Sequence, residues 1–233
     1  MNALASKVFP VLFAGLALLG LAACSNEEGE RKAFIEFLQT RIVDQPGLRV
    51  PKLSAEEQKS LGRYAAQYAV IGDFNDSMGK AFTEASPAMQ TMASLSTPQA
   101  LVQEQARIGE ARAALAKVKG QLGEQLGKTQ ADRAKLQQPD DVKPVFQAAY
   151  EKTVVKPSEL MLKVLEQTDG ILGEAQNFAT FLKTNEASVN FVGSQVEVNS
   201  PALLEELNVH LGALNDKRQK LMALQNELNA MVR

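Results

Sequence analysis

The chain has 233 residues, with 25 Lys and Arg against 27 Asp and Glu, one His, one Cys and no Trp. A near-neutral, slightly acidic chain without a basic cluster offers nucleic acid no electrostatic footprint, so no nucleic-acid partner is expected. A single histidine and a single cysteine exclude a zinc site built on several such ligands within one chain, and any two-histidine mechanism.

The first 23 residues read as an export signal. Lys7 supplies the positive start, and residues 11–21 (VLFAGLALLGL) form an apolar run of 11 residues. Such a run suits a signal core and is too short for a bilayer span of about 20 residues. Leu21, Ala22, Ala23 and Cys24 spell LAAC, a lipobox. Its chemistry needs a thiol to accept lipid at Cys24 and small side chains ahead of it, so that the peptidase can cut between Ala23 and Cys24. The sequence therefore predicts a signal peptide at 1–23 that is removed, and a lipidated N-terminus with a short tether at 24–30. The tether residues SNEEGE extend at most about 20 Å, which starts the folded body close to the membrane. Losing Lys7 from the 25 basic residues leaves 24 against 27 acidic ones, a formal charge of −3. Once Cys24 is acylated no thiol remains for a disulfide or for redox chemistry. Three acyl chains exceed the two that give stable anchoring. An aspartate after the cysteine retains lipoproteins in the inner membrane; Ser25 stands there instead. The expected location is the cell envelope, lipid-anchored in the outer membrane and facing the periplasm.

Residues 31–44 open the body, with Phe34, Phe37, Leu38 and Ile42 on one helical stripe. Pro46, Gly47 and Pro51 break it. Ser54 with Glu57 forms a capping box for a helix whose inner face is Leu61, Tyr64, Tyr68, Ile71, Phe74, Met78 and Phe82. Gly62, Gly72 and Gly79 weaken that helix, and Pro87 is expected to kink or end it. Thr97 and Pro98 start the longest pattern, which runs to Gln137. Leu101, Ile108, Leu115, Leu122 and Leu136 lie on a heptad row with Thr129 in its gap, and Ala111, Val118 and Leu126 support it. Gly109, Gly120, Gly123 and Gly127 favour a bend in its far half.

After Pro139, Asp140 and Asp141, a shorter helix carries Val145, Phe146, Ala149, Tyr150 and Val154 inward until Pro157 stops it. Residues 158–183 point Leu160, Val164, Ile171, Ala175, Phe178 and Leu182 inward. At 188–198 the period becomes two, and Gly193–Ser194 suits the turn of a β-hairpin. Ser200 and Pro201 begin the last helix, where Leu207, Leu214, Leu221 and Leu228 stand seven apart. Leu204, Leu211 and Val232 read as its second inward row, interrupted by Arg218 and Gln225. The two long heptad-like helices are expected to pack on each other, antiparallel, within one chain. A monomer is therefore preferred to a homodimeric zipper. The fold class is all-α: an elongated helical bundle with long coiled-coil-like helices and one small β-hairpin, residues 31–233 forming a single helical domain.

The stretches RKAFIEFLQ at 31–39, PKLSAEEQKSLGRYAAQYA at 51–69, KPVFQAAYEKTVVKP at 143–157 and NFVGSQVEV at 190–198 resemble the YiaF-like family of uncharacterised proteobacterial lipoproteins. The likeness spans most of the mature chain and is weakest in the middle and in the last helix. It implies a lipoprotein with a helical domain and brings no catalytic residues with it.

Candidate chemistry is sparse. The acid pairs Glu56/Glu57, Asp140/Asp141 and Glu205/Glu206 lie at or just before helix starts, where carboxylates cap free amides. Asp73, Asn75, Asp76 and Ser77 have oxygen ligands but interrupt an amphipathic helix, unlike a calcium loop. His210 shows no acid or nucleophile beside it in sequence, and no metal or cofactor motif occurs. Val50, Pro51 and Leu53, with the hairpin, are apolar features outside the long helices; they either cap the bundle end, the preferred reading, or meet a partner. The function expected is a non-enzymatic envelope lipoprotein that acts through contacts with another envelope protein. Two alternatives stay open. A helical carrier or chaperone would hold an apolar ligand in a cavity lined by Phe and Met. A carboxylate-dependent hydrolase of an envelope polymer would bring two carboxylates about 5–9 Å apart in a cleft.

Overall fold

The computed structural model describes the backbone of residues 14–233 and side chains from Asn26 onward. The export-signal reading of residues 1–13 and the side chain of Cys24 lie outside the described residues. Among the described residues no helix is long and apolar enough to cross a membrane.

Helix α1 (Ala14–Leu38) runs into a π-helical turn, Gln39–Val43. The stripe Phe34, Phe37, Leu38 and Ile42 is buried as expected. The segment expected as a tether is instead helical where it is described. Its acids find partners across the fold: Glu27 pairs with Arg63, and the Arg63 amide donates to Glu30. The helix thus gains charge-assisted bonds that an extended tether would lose to water.

Helix α2 (Ala55–Leu61) starts with the expected capping box. The Glu57 amide donates to the Ser54 hydroxyl at 3.1 Å, and the Ser54 amide donates to the Glu57 carboxylate at 2.8 Å. The Ser54 amide first, and then its hydroxyl, hold the Glu57 carboxyl below its ordinary value. A depressed carboxyl adds stability above the ordinary glutamate pKa and loses it as the pH falls through the lowered one. Ser54→Ala should cost about 1 kcal/mol in urea unfolding at neutral pH, and the difference should shrink in acid. An unchanged midpoint would show that the box contributes nothing.

The break in the second helical pattern falls at Gly62 and not at Pro87. Gly62 takes φ +50, and a Cβ there would run into the Glu30 carboxyl group. The positive φ is what favours glycine there. Helix α3 (Tyr64–Ser94) then continues through Pro87, which is exposed. Thr83, whose carbonyl its ring frees, is itself exposed.

Phe82, expected inside, is 49 % exposed, while Ala81, Ala85 and Ala88 are buried. The reason is coverage. α1 meets this flank of α3 through Phe34 on Tyr64 and Phe37 on Tyr68, and Phe82 lies about 21 Å further along the helix.

Thr97 caps helix α4 (Pro98–Gln103), its hydroxyl accepting from the Ala100 amide at 3.2 Å. The long pattern breaks at Glu104, and helix α5 (Gln105–Ala134) passes through Gly109, Gly120, Gly123 and Gly127. A Cβ at any of these four would meet nothing within 4 Å, so no neighbour presses on the helix there. Its row Ile108, Ala111, Leu115, Val118, Leu122 and Thr129 is buried.

Helix α6 (Val142–Tyr150) flows through a π-helical turn, Glu151–Val155, into helix α7 (Lys156–Thr184). Pro157, expected as a stop, stands in the first turn of α7, where its missing N–H is not needed. The preceding wide turn absorbs the register change, with the Lys156 amide donating to the Glu151 carbonyl.

Strands β1 (Val189–Val192) and β2 (Gln195–Val198) pair antiparallel in the register Val189 to Val198 and Phe191 to Val196. Gly193, at φ +61, turns between them. Ser200 caps helix α8 (Pro201–Val232) by accepting from the Leu203 amide at 3.2 Å.

These helices form an all-α bundle with one small hairpin. α3 lies on α5, α5 on α7, and α7 on α8, which places α8 at the edge; α1 closes on α6. The long helices α5 and α8 therefore do not pair as expected, because α7 separates them. Its apolar side chains occur on more than one face, Leu160, Val164, Leu165, Leu172, Ala175, Phe178, Phe181 and Leu182 all being buried. A helix that is apolar over so much of its circumference is the natural centre of a bundle.

Candidate contact surface

The apolar features expected at Val50, Pro51 and Leu53 lie beside the start of α3. Val50 and Leu53 are half-buried against the core, and the Tyr68 hydroxyl donates to the Pro51 carbonyl at 2.5 Å. Burial pushes the Tyr68 phenol well above the usual tyrosine range, so it stays a donor. This segment packs along α3 and leaves a surface groove of about 620 Å³ against it. Asp73, Asn75 and Asp76 line that groove. Asp76 is 4.0 Å from the Lys52 ammonium, and no group of three or more His, Cys, Asp or Glu able to hold a metal occurs among the described residues.

The acid pairs are not equivalent. Glu57 caps as expected. Asp141 does not, because its backbone is already helical at φ −76 and ψ −24; its carboxylate lies 3.3 Å from Arg31 Nε. Asp140 pairs with Lys143 at 2.7 Å. Glu205 and Glu206 fall beyond the first turn of α8, whose free amide is met by Ser200.

His210 has a partner that the sequence did not reveal. Its Nδ1 lies 2.7 Å from Glu174 Oε1 on α7, and its ring packs 5.5 Å from Phe178 and 5.3 Å from Phe181. Nothing in the sequence around Lys152 marks its role either. Its ammonium donates to the carbonyls of Ile42 at 2.9 Å and Val43 at 3.2 Å, and also to Gln45. A cation there satisfies carbonyls that the end of a helix leaves free.

The surface that stands out runs from the hairpin along α8. Eight large apolar side chains are exposed among the described residues, and seven belong to the stretch from Phe191 to Val232. Phe191 and Val192 are on the hairpin; Leu204, Val209, Leu211, Met222 and Val232 are on α8. Leu207, Leu214 and Leu221 are buried as expected, though on α7 and not on the other long heptad-like helix, and Leu228 is half-buried. The supposed second row is not inward: Leu204 is 50 %, Leu211 44 % and Val232 55 % exposed. α8 packs mainly on α7, so one stripe suffices to hold it and the next stripe is left bare.

Fold and surface together define a helical bundle with one hairpin and an apolar edge. A family model described as "Protein of unknown function (DUF3053)" matches residues 12–229, and the chain belongs to that family. It is 28% identical over 218 residues to "Uncharacterized protein YiaF" of Escherichia coli (strain K12), covering 92% of this chain and 91% of that protein. The protein of the same name from Shigella flexneri matches equally, 28% over 218 residues. No solved structure matches.

Proposed function

We propose that the protein is a lipid-anchored, non-enzymatic component of the cell envelope that works by binding another protein through the hairpin and α8. The observation that carries this reading is the gathering of seven of eight exposed large apolar side chains on one stretch of chain. A monomer scatters such residues, and a concentration of them marks a contact site. In this reading Cys24 holds the lipid, Ser25 sends the protein to the outer membrane, and the body faces the periplasm.

Two experiments test it. Cys24→Ala should abolish fatty-acid labelling and leave an uncleaved precursor; labelling that survives removes the anchor from the proposal. Photo-crosslinking residues placed at Val192 and Leu204 in living cells should give discrete protein adducts, identified by mass spectrometry, whereas one at Lys59 should not. Absence of any adduct at Val192 and Leu204 overturns the contact reading.

A further inference from the structure

The anchored end of the fold is tied down from Asn26 onward. Cys24 precedes Asn26 by two residues, which extend at most about 7 Å. Asn26 already donates to Glu30 Oε1 at 2.7 Å, Glu27 pairs with Arg63, and Arg31 Nε lies 3.3 Å from Asp141. A lipid on Cys24 therefore enters beside the Gly62–Arg63 corner and the start of α6, with little slack between membrane and body.

From that corner α1, α3 and α6 all lead the same way. α1 and α6 lie side by side in parallel: Arg31 meets Asp141, Phe34 meets Phe146 at 6.3 Å, and Lys152 donates to the Ile42 carbonyl at 2.9 Å. Between the first and the last of these contacts both segments advance eleven residues. α3 keeps pace with them. Its first residue, Tyr64, shares Phe34 with Phe146, and near its other end Met92 and Leu95 share a groove with Ile171 of α7. Tyr64 to Met92 is 28 residues and Phe146 to Ile171 is 25, so the wide turn at Glu151–Val155 does not fold α7 back on α6.

The spine made by α6, the wide turn and α7 runs from Val142 to Thr184, about 60 Å. The hairpin follows directly at its far end. α8 returns along α7, with His210 beside Glu174 and Arg233 against Gly47. Gly47 is two residues past Gln45, whose carbonyl meets Lys152 in the turn after α6. Even the last turn of α8 therefore stands about 15 Å above the anchored end. Neither the flank beside the anchor nor α8 suits a bilayer. The outer face of α1 is Glu28, Lys32, Glu36 and Thr40, all exposed. α8 carries Glu205, Glu206, Asp216 and Glu227 against Lys217, Arg218 and Lys220, whereas a helix that lies in a membrane surface is rich in bases.

We propose that the body stands end-on upon its membrane and holds the hairpin about 60 Å away from it, so that its contact surface meets a protein face in the aqueous space of the envelope and not one embedded in the same bilayer. This rests on the anchored, contact-making reading above. A body on a long flexible tether would also reach proteins flush with the membrane. One clamped at its foot reaches outward only.

The test uses the full-length lipidated chain in vesicles of phosphatidylethanolamine and phosphatidylglycerol whose headgroups carry an acceptor dye. A donor dye is placed on one added thiol: Ser60→Cys beside the corner, Gln219→Cys midway along α8, or Ser194→Cys in the hairpin turn, all three positions being exposed. The unsubstituted chain is the control for Cys24. Energy transfer should be strong from position 60, intermediate from 219 and weak from 194. Strong transfer from all three means that the body lies flat, and it overturns the proposal while leaving the anchor standing. A chain that carries no lipid and leaves the vesicles overturns the anchor and the standing body together. In cells, the peptides crosslinked to Val192 should come from a water-exposed domain of the other protein. Peptides from a membrane-embedded segment overturn the partner class. Graded transfer with no adduct at Val192 or Leu204 upholds the standing body and removes the contact reading.

Discussion

Phe34→Ala is expected to remove about 3–5 kcal/mol of stability, a large share of the 5–15 kcal/mol that holds a typical domain. Phe34 is fully buried and joins three elements. Its ring stacks on Tyr64 of α3 at 5.3 Å and tilts against Phe146 of α6 at 6.3 Å. Truncation leaves a void between groups fixed by their own helices, and it also loses two aromatic contacts. Urea unfolding followed by far-UV circular dichroism measures the loss. A change below about 1 kcal/mol would mean that α1 is not part of the cooperative core.

The second large effect is a contrast between two leucines three residues apart. Leu214 is 8 % exposed on the face of α8 that meets α7, and Leu211 is 44 % exposed beside it. Leu214→Ala should cost about 2–5 kcal/mol. At low protein concentration Leu211→Ala should change stability by no more than about 0.5 kcal/mol. The residue type and the helix are the same, so the difference isolates burial. Equal losses would show that the inward face of α8 has been misplaced.

The sequence revealed element type well and coverage poorly. The stripes at Phe34–Ile42 and Leu207–Leu221, the caps at Ser54, Thr97 and Ser200, and the hairpin turn at Gly193 all followed from local chemistry that needs no tertiary partner to be read. What failed depended on neighbours. Pro87 was weighted above Gly62 because proline lacks a donor, but Pro87 sits on the water side while Glu30 crowds Gly62. Phe82 and Leu204 match the apolar period, yet periodicity cannot say whether a helix has one neighbour or three. Glu174 and His210 are on different helices, and their meeting depends on the relative slide of α7 and α8. The hairpin is readable as a contact feature; the bare line of α8 is hidden because Leu204 and Leu211 fit the apolar period of an inward row.

The closure of α1 on α6 has a consequence for the order in which the protein can be made. Chains are synthesised from the N-terminus at about 5–20 residues per second. The stripe Phe34, Phe37, Leu38 and Ile42 meets Tyr64 and Tyr68 of α3 early, but its remaining partners are in Val142–Tyr150 and its last carbonyls await Lys152. Roughly a hundred residues must therefore be added before that stripe can be fully covered, a delay on the order of 5–20 s. During that interval part of that stripe stands open, so the newborn chain needs shelter at its beginning rather than at its end.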